Sequence, residues 1–179
     1  STDSDYIISR IKKYNIDLVI KREKKLSQDN TSKVIVMQDT FVKSEKYFKT
    51  KFDYMCDLDV TSPLRQIKDI KNAFNKIKKN INANNLITVC DANKNPYFNM
   101  VEKNKGKYSI CKKQNKNIYS RQSAPKVYEM NASIYIWKRN AILNTPTLIG
   151  NKTIVYHMPK ERSVDIDDDI DLKLVKTLI

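Results

Sequence analysis

The segment Phe52-Asp53-Tyr54-Met55-Cys56-Asp57-Leu58-Asp59-Val60-Thr61-Ser62-Pro63-Leu64-Arg65 constrains the fold more than any other part of the chain. Tyr54, Met55, Cys56, Leu58 and Val60 form a mostly apolar run of strand length. A tight turn and a helix should follow, with Thr61 or Ser62 as the cap and Pro63 in the first turn. Asp57 and Asp59 interrupt the run near its carboxyl end. Two residues apart on an extended chain, they point to one face. Ionised carboxylates are costly to bury unpaired. The pair therefore has two readings: a site at the end of a buried strand, or an exposed edge strand. Open α/β sheets bind ligands just beyond the carboxyl ends of their strands, which makes Asp59-Val60-Thr61-Ser62 a candidate site.

The rest of the chain alternates around this segment. Tyr6, Ile7, Ile11 and Tyr14 recur at helical spacing behind Asp3 or Ser4 as a cap. Ile16 to Ile20 reads as a short strand, and Val34, Val36, Met37, Phe41, Val42 and Phe48 as a helix. Ile67, Ile70, Ala73, Phe74 and Ile77 mark the helix after the central segment, and Leu86 to Cys90 a buried strand. This β-α alternation predicts a mainly parallel sheet flanked by helices. The rhythm then changes. Asn95 to Val101 reads as a strand, Asn104-Lys105-Gly106 as a turn and Tyr108 to Cys111 as the returning strand. Ala132 to Trp137 and Thr153 to Met158 are further strands, with a short helical stretch near Arg139 to Leu143. A last helix spans Asp168 to Ile179, with Ile170, Leu174, Val175, Leu178 and Ile179 on one face. No repeats or long linkers break the chain, so 1–179 reads as a single domain with a hairpin-rich excursion at 97–130.

Composition removes several classes of function. The 179 residues, 40% hydrophobic and 30% charged, suit one globular domain. No apolar run approaches the ~20 residues of a membrane span. Three widely spaced cysteines and a single histidine argue against a disulfide framework or a His-based metal site, and fit a reduced, cytoplasmic setting. The net charge of +14 comes from lysines spread along the chain, without interleaved base-stacking aromatics, so no nucleic-acid partner is expected. Such a charge does suit anionic small molecules. Gly106 and Gly150 are the only glycines, so this chain cannot build a Gly-rich phosphate loop. Ser1 replaces an initiator Met, and Thr2-Asp3-Ser4-Asp5 reads as a helix start after an absent strand. We therefore expect a longer protein that begins upstream.

Three constellations are candidates for chemistry; the weakest is Arg22 with Asp29, at a strand end and in its loop, where a solvated loop is the plainer reading. In Ser163-Val164-Asp165-Ile166-Asp167-Asp168-Asp169-Ile170-Asp171, Asp165 and Asp167 share a face if extended. Two converging carboxylates suit Mg²⁺, which takes one or two carboxylates plus substrate phosphates. The alternative, a helix-capping cluster, accounts for Asp168 and Asp169 through the macrodipole but leaves Asp165 unexplained. In the second, Arg121 to Tyr135, Arg121 offers a planar fork for a carboxylate. Asn131 and Tyr135 offer neutral hydrogen bonds of the kind a polyhydroxylated ligand needs.

Asp59-Val60-Thr61-Ser62-Pro63-Leu64-Arg65, Arg121-Gln122 with Pro125, Tyr128, Asn131 and Tyr135, and Ser163-Val164-Asp165-Ile166-Asp167 occur in an order that resembles one family. It is the CMP-N-acylneuraminate synthetases, the cytidylyltransferases that activate sialic acids. The resemblance spans essentially the whole chain and is nearest the bacterial legionaminic-acid type, which serves flagellin or surface-polysaccharide glycosylation. It implies a Rossmann-like nucleotidyltransferase fold and a CTP-dependent transfer of CMP to a nonulosonic acid, with release of pyrophosphate. It further implies a homodimer with 97–130 as the dimerisation lobe. Asp165 and Asp167 would be the catalytic pair that holds Mg²⁺. Asp59, Arg121, Gln122, Asn131 and Tyr135 would bind the sugar, with Asn131 and Tyr135 lining one pocket. Arg22, Thr61 and Ser62 would serve the nucleotide.

Two departures qualify the resemblance. Asp59 stands where many sialic-acid enzymes have Gln, which makes it a selector of the sugar's amino or N-acyl pattern and leaves Asp57 structural. The family's N-terminal Gly-rich stretch and first β-α-β unit have no counterpart in these residues, so the chain by itself is expected to bind CTP weakly and turn over little. A competing reading makes it an inactive relative that retains dimerisation or sugar binding.

Overall fold

A computed structural model describes residues 1–114 and 118–179; residues 115–117 of the 97–130 excursion lie outside the described residues. The chain is mixed α/β. It forms two compact units, one of Ser1–Leu58, Ile70–Ile87 and Ile134–Val155, the other of Asp59–Asp69, Thr88–Ser133 and Tyr156–Ile179. Strands β1 (Tyr54–Leu58), β2 (Asn85–Asp91), β5 (Tyr128–Lys138) and β6 (Thr153–His157) form a sheet in the order β1-β5-β2-β6. A separate hairpin joins β3 (Val101–Asn104) to β4 (Lys107–Ile110).

This order revises two expectations. β1 is an edge strand of the described sheet, half-exposed along its length, but Asp57 on it is half-buried with Oδ2 buried, and Asp59 lies beyond the strand. β1 and β5 pair antiparallel, from Tyr54 with Lys138 to Leu58 with Ile134, so this pair departs from the parallel arrangement expected.

In the first unit, α1 (Asp5–Ile11) is capped by Ser4, whose hydroxyl accepts from Ile7 N at 3.3 Å. Ile16 to Ile20 is not a strand. Its neighbourhood makes one isolated bridge, Thr2 with Lys21, and among the described residues no ladder forms there. α2 (Lys33–Phe48) buries Val34, Met37 and Phe41, spaced to share one helical face. α3 (Ile67–Lys79) buries Ala73 and Ile77, and α4 (Arg139–Asn144) buries Ala141 and Ile142. Leu86, Ile134, Ile136 and Trp137 are fully buried with them. Burial of each large apolar side chain contributes about 1.5–3 kcal/mol. Trp137 also satisfies its indole N–H on Thr147 O at 3.1 Å. Arg139 grips Glu45 with Nε at 2.8 Å and Nη2 at 3.0 Å. Lys33 reaches Asp57 at 3.1 Å, which supports the structural role expected of that carboxylate.

In the second unit, the hairpin turns through Lys105 (φ 47°) and Gly106 (φ 80°). Positive φ at both positions is what a two-residue turn needs to match the strand twist. Asn95 to Met100 is a turn rather than the expected strand. Asn95 O accepts from the N–H groups of Phe98, Asn99 and Met100, and Asn95 Oδ1 accepts from Tyr97 N at 2.9 Å. An Asn-Pro pair favours this local bonding over a ladder.

The start of α3 also moves, to Ile67, so Thr61, Ser62 and Pro63 lie outside it. Tertiary bonds hold this stretch in turns outside the helix. Asp59 N donates to Ser133 O at 3.2 Å, Arg65 Nη1 to the same oxygen at 3.1 Å, and Ile166 N to Thr61 O at 2.9 Å. The cap comes from Asp69, which accepts from Gln66 N at 2.9 Å. α5 (Asp169–Leu178) begins with a reciprocal cap: Asp168 Oδ1 accepts from Ile170 N and Asp171 N, and Asp171 Oδ2 accepts from Asp168 N.

Candidate active site

The site lies within the second unit. The 3₁₀ turn Lys160–Arg162 after β6 delivers the chain into the stretch Ser163 to Asp167 that precedes α5. Ser163 Oγ donates to Pro159 O and accepts from Asn131 Nδ2, both at 2.8 Å. Ile166 N is fixed on Thr61 O, and Asp167 N donates to Asp171 Oδ2 at 3.1 Å. The two carboxylates singled out from sequence are therefore flanked by anchored backbone. Asp168 and Asp171 do the capping. Asp165 does not: its Oδ1 is buried and has no hydrogen-bond partner.

Asp165, Asp167 and Asn131 line one cavity of about 370 Å³, together with Cys90, Asn93, Glu129, Lys160, Ser163 and Asp171. Asn131 is buried, with its Oδ1 also unpartnered. Buried polar atoms are normally satisfied, and these two acceptors, in residues that line one cavity, are open to a donor or a cation there. Lys160 donates to Asn93 Oδ1 across the same cavity. Glu129 accepts from Cys90 Sγ at 3.5 Å and from Asn93 N at 3.4 Å. Burial pushes the Cys90 thiol pKa up, and the Glu129 carboxylate adds to the rise, so this cysteine is protonated rather than nucleophilic.

Four carboxylates against one ammonium make the cavity acidic in a strongly basic chain. Hard oxygen donors of this kind fit a divalent cation. No three metal-ligating side chains gather closely enough among the described residues to hold an ion unaided. The set fits a cation shared with water and substrate phosphates, the mode Mg²⁺ favours.

The remaining predicted residues are distributed as follows. Thr61 Oγ1 contacts Asp59 Oδ1 at 3.4 Å, and Ser62 is fully buried with Oγ unpartnered, one residue from the Thr61–Ile166 bond. Asp59, Thr61 and Ser62 are thus joined to the Asp165 stretch but do not line the cavity. Arg121 is exposed and donates to Asn93 O at 3.2 Å, which brings it to a residue of the cavity wall; Gln122 is exposed beside it. Tyr135 and Arg22 belong to the first unit. Tyr135 is buried there, stacked on Trp137 with Lys33 Nζ 4.3 Å from its ring centre, and is not among the residues that line the cavity. Arg22 donates through Nη2 to Ser1 O at 3.0 Å.

Sequence reasoning missed Glu129, Asn93 and Lys160. Glu129 had a signal, since it lies two residues before Asn131 on a strand. Between them and Ser133, however, Ala132 has φ 47°, a left-handed value unusual for alanine that no sequence pattern announces.

No protein-family model matches the chain. "CMP-N,N'-diacetyllegionaminic acid synthase" of Campylobacter jejuni is 45% identical over 179 residues, which is 100% of this chain and 75% of that protein. "Post-translational flagellin modification protein B" of Campylobacter coli is 42% identical over the same 100% and 75%. An "N-acylneuraminate cytidylyltransferase" of Streptococcus agalactiae is 27% identical over 93% of this chain and 38% of its own length. With relatives of this identity matched along its whole length, the chain belongs to the acylneuraminate cytidylyltransferase family, CTP-dependent nucleotidyltransferases that include the legionaminic-acid synthases.

Proposed function

We propose that the protein transfers CMP from CTP to the anomeric hydroxyl of a nonulosonic acid of the sialic or legionaminic type. The anomeric oxygen forms a bond to the α-phosphorus, the bond from that phosphorus to the bridging oxygen breaks, and pyrophosphate leaves. Such a reaction asks the protein for positioning and charge stabilisation rather than covalent chemistry. The observation that carries the reading is the pair of orphaned buried acceptors, Asp165 Oδ1 and Asn131 Oδ1, in residues that line one acidic cavity.

In this reading Asp165 and Asp167 hold Mg²⁺, which when bound neutralises phosphate charge. Asn131 orients the sugar, and Arg121 with Gln122 approaches it from the Asn93 side, the guanidinium matched to the sugar carboxylate. Asp59 selects the amino or N-acyl pattern. Thr61, Ser62 and Arg22 serve the nucleotide, and Tyr135 supports the sugar side. The fold is the Rossmann-like nucleotidyltransferase fold, and the 97–130 excursion is the lobe through which two copies pair. The product would supply glycosylation of flagellin or a surface polysaccharide from the cytoplasm. The names of the two Campylobacter relatives support that class of product. No helix among the described residues is long and apolar enough to cross a membrane.

Pyrophosphate release from CTP and Mg²⁺ with a panel of nonulosonic acids tests the proposal on the full-length protein. At least one sugar should support turnover, and Asp167→Asn should abolish it without loss of folded protein. Release with none of the sugars would refute the activity, and turnover by Asp167→Asn would refute the metal assignment.

A further inference from the structure

The stretch that carries Asp165 and Asp167 is gripped by a buried ion pair that the reaction does not itself use. Arg162 donates to Asp69 through Nε at 2.8 Å and Nη2 at 2.9 Å, a two-bond fork. The Asp69 side chain is 0% exposed and that of Arg162 16%. Burial works against ionisation of Asp69, but the Arg162 fork and the Gln66 N–H outweigh it and hold the carboxyl below its ordinary range. Such a pair is poor value as a stabilising device, because desolvation offsets most of the attraction. What a fork fixes that a point charge does not is orientation.

The orientation matters because of where Arg162 stands. It ends the 3₁₀ turn, three residues before Asp165. Asp69 belongs to the first turn of α3 and is locked there by Gln66 N at 2.9 Å, so the fork ties the turn to a capped helix end. Downstream, Ile166 N is held by Thr61 O at 2.9 Å, and Thr61 precedes that helix by a few residues. Asp165 thus sits between two ties to the same stretch of chain, Thr61 to Asp69, while its own carboxylate has an unpartnered oxygen.

We propose that Asp69 and Arg162 are positioning residues for the cation site, setting the direction in which Asp165 presents its carboxylate. The inference rests on the metal reading of Asp165 and Asp167. Partners that orient metal ligands alter metal affinity or activity by about 10–100-fold when changed.

The test is direct Mn²⁺ binding to the full-length protein, read from loss of the free-ion electron paramagnetic resonance signal, with no turnover involved. Arg162→Lys keeps the charge and removes the fork; its Kd for Mn²⁺ should rise about 10-fold or more. Arg139→Lys removes the comparable fork to Glu45 in the first unit and should leave Kd within about twofold, the distinction a purely structural loss would not produce. Asp165→Asn should abolish uptake. If Asp165→Asn abolishes uptake but Arg162→Lys binds as the parent does, the positioning role is refuted and the metal site stands. An equal loss in Arg162→Lys and Arg139→Lys also refutes it. If the parent takes up no Mn²⁺, or Asp165→Asn binds unchanged, the metal reading itself fails.

Discussion

The first unit buries mostly apolar side chains, and the second buries polar ones. Among the described residues Trp137, Ile134, Ile136, Ile77, Leu86 and Ile142 are fully buried in the first, where Asn85 is the buried polar residue. Even Asn85 is satisfied, donating to Leu148 O at 2.8 Å and accepting from Thr153 Oγ1 at 2.7 Å. The second buries Ser62, Asp69, Thr88, Asn95, Asn131 and Ser133. Ser62 Oγ, Asn131 Oδ1, Ser133 Oγ and Asp165 Oδ1 are buried there without hydrogen-bond partners, whereas in the first unit the one such atom among the described residues, Asp57 Oδ2, has the Lys33 ammonium at 3.1 Å. An unsatisfied buried polar group costs about 1–3 kcal/mol. Of these atoms, Asn131 Oδ1 and Asp165 Oδ1 belong to residues that line the acidic cavity. The contrast sets an apolar core against a polar one, and the proposed chemistry falls in the polar one.

The largest effect that would sharpen this contrast is in the first unit. Trp137→Ala removes a fully buried indole and should cost about 3–5 kcal/mol, read from the urea midpoint. The loss should persist when CTP, Mg²⁺ and sugar are added. Rescue by ligands would blur the distinction between the units.

Acid should probe the second unit's satisfied carboxylate more gently. Asp69 ionises more readily in the fold than in the unfolded chain, whose pKa is about 3.9. The pair's contribution is therefore complete above that value and fades as pH falls through the lower folded one. Measured by denaturation from pH 7 downward, the stability gap between the parent and Asp69→Asn should narrow on the acid side. A gap that widens with acid would mean that the pair does not hold Asp69 ionised.

Much of this was legible from local pattern. The apolar spacing in α2 and α3, the run Leu86 to Cys90 and the caps before α1 and α5 each encode their own element within a few residues. Asp165 and Asp167 stood out because capping could not explain Asp165; in the fold Asp168 and Asp171 do the capping, and Asp165 Oδ1 is left without a partner. What stayed hidden is non-local. The α3 start shifted because Asp59, Thr61 and Arg65 bond to Ser133 and Ile166, far away in sequence. β1 looked central because apolar content does not distinguish an edge strand from an inner one when its partners are unknown. Ile16 to Ile20 had strand composition but no ladder to join. The Asp69–Arg162 fork joins residues 93 apart, each an ordinary surface type in its own context.

The most direct measurement is the unfolding free energy of Asp165→Asn, without ligands, set beside its pyrophosphate release. Since Asp165 Oδ1 has no partner to lose, stability should change by less than about 1 kcal/mol while turnover disappears. A large loss of stability, or turnover that survives, would contradict the assignment of this half-buried carboxylate to a ligand rather than to the fold.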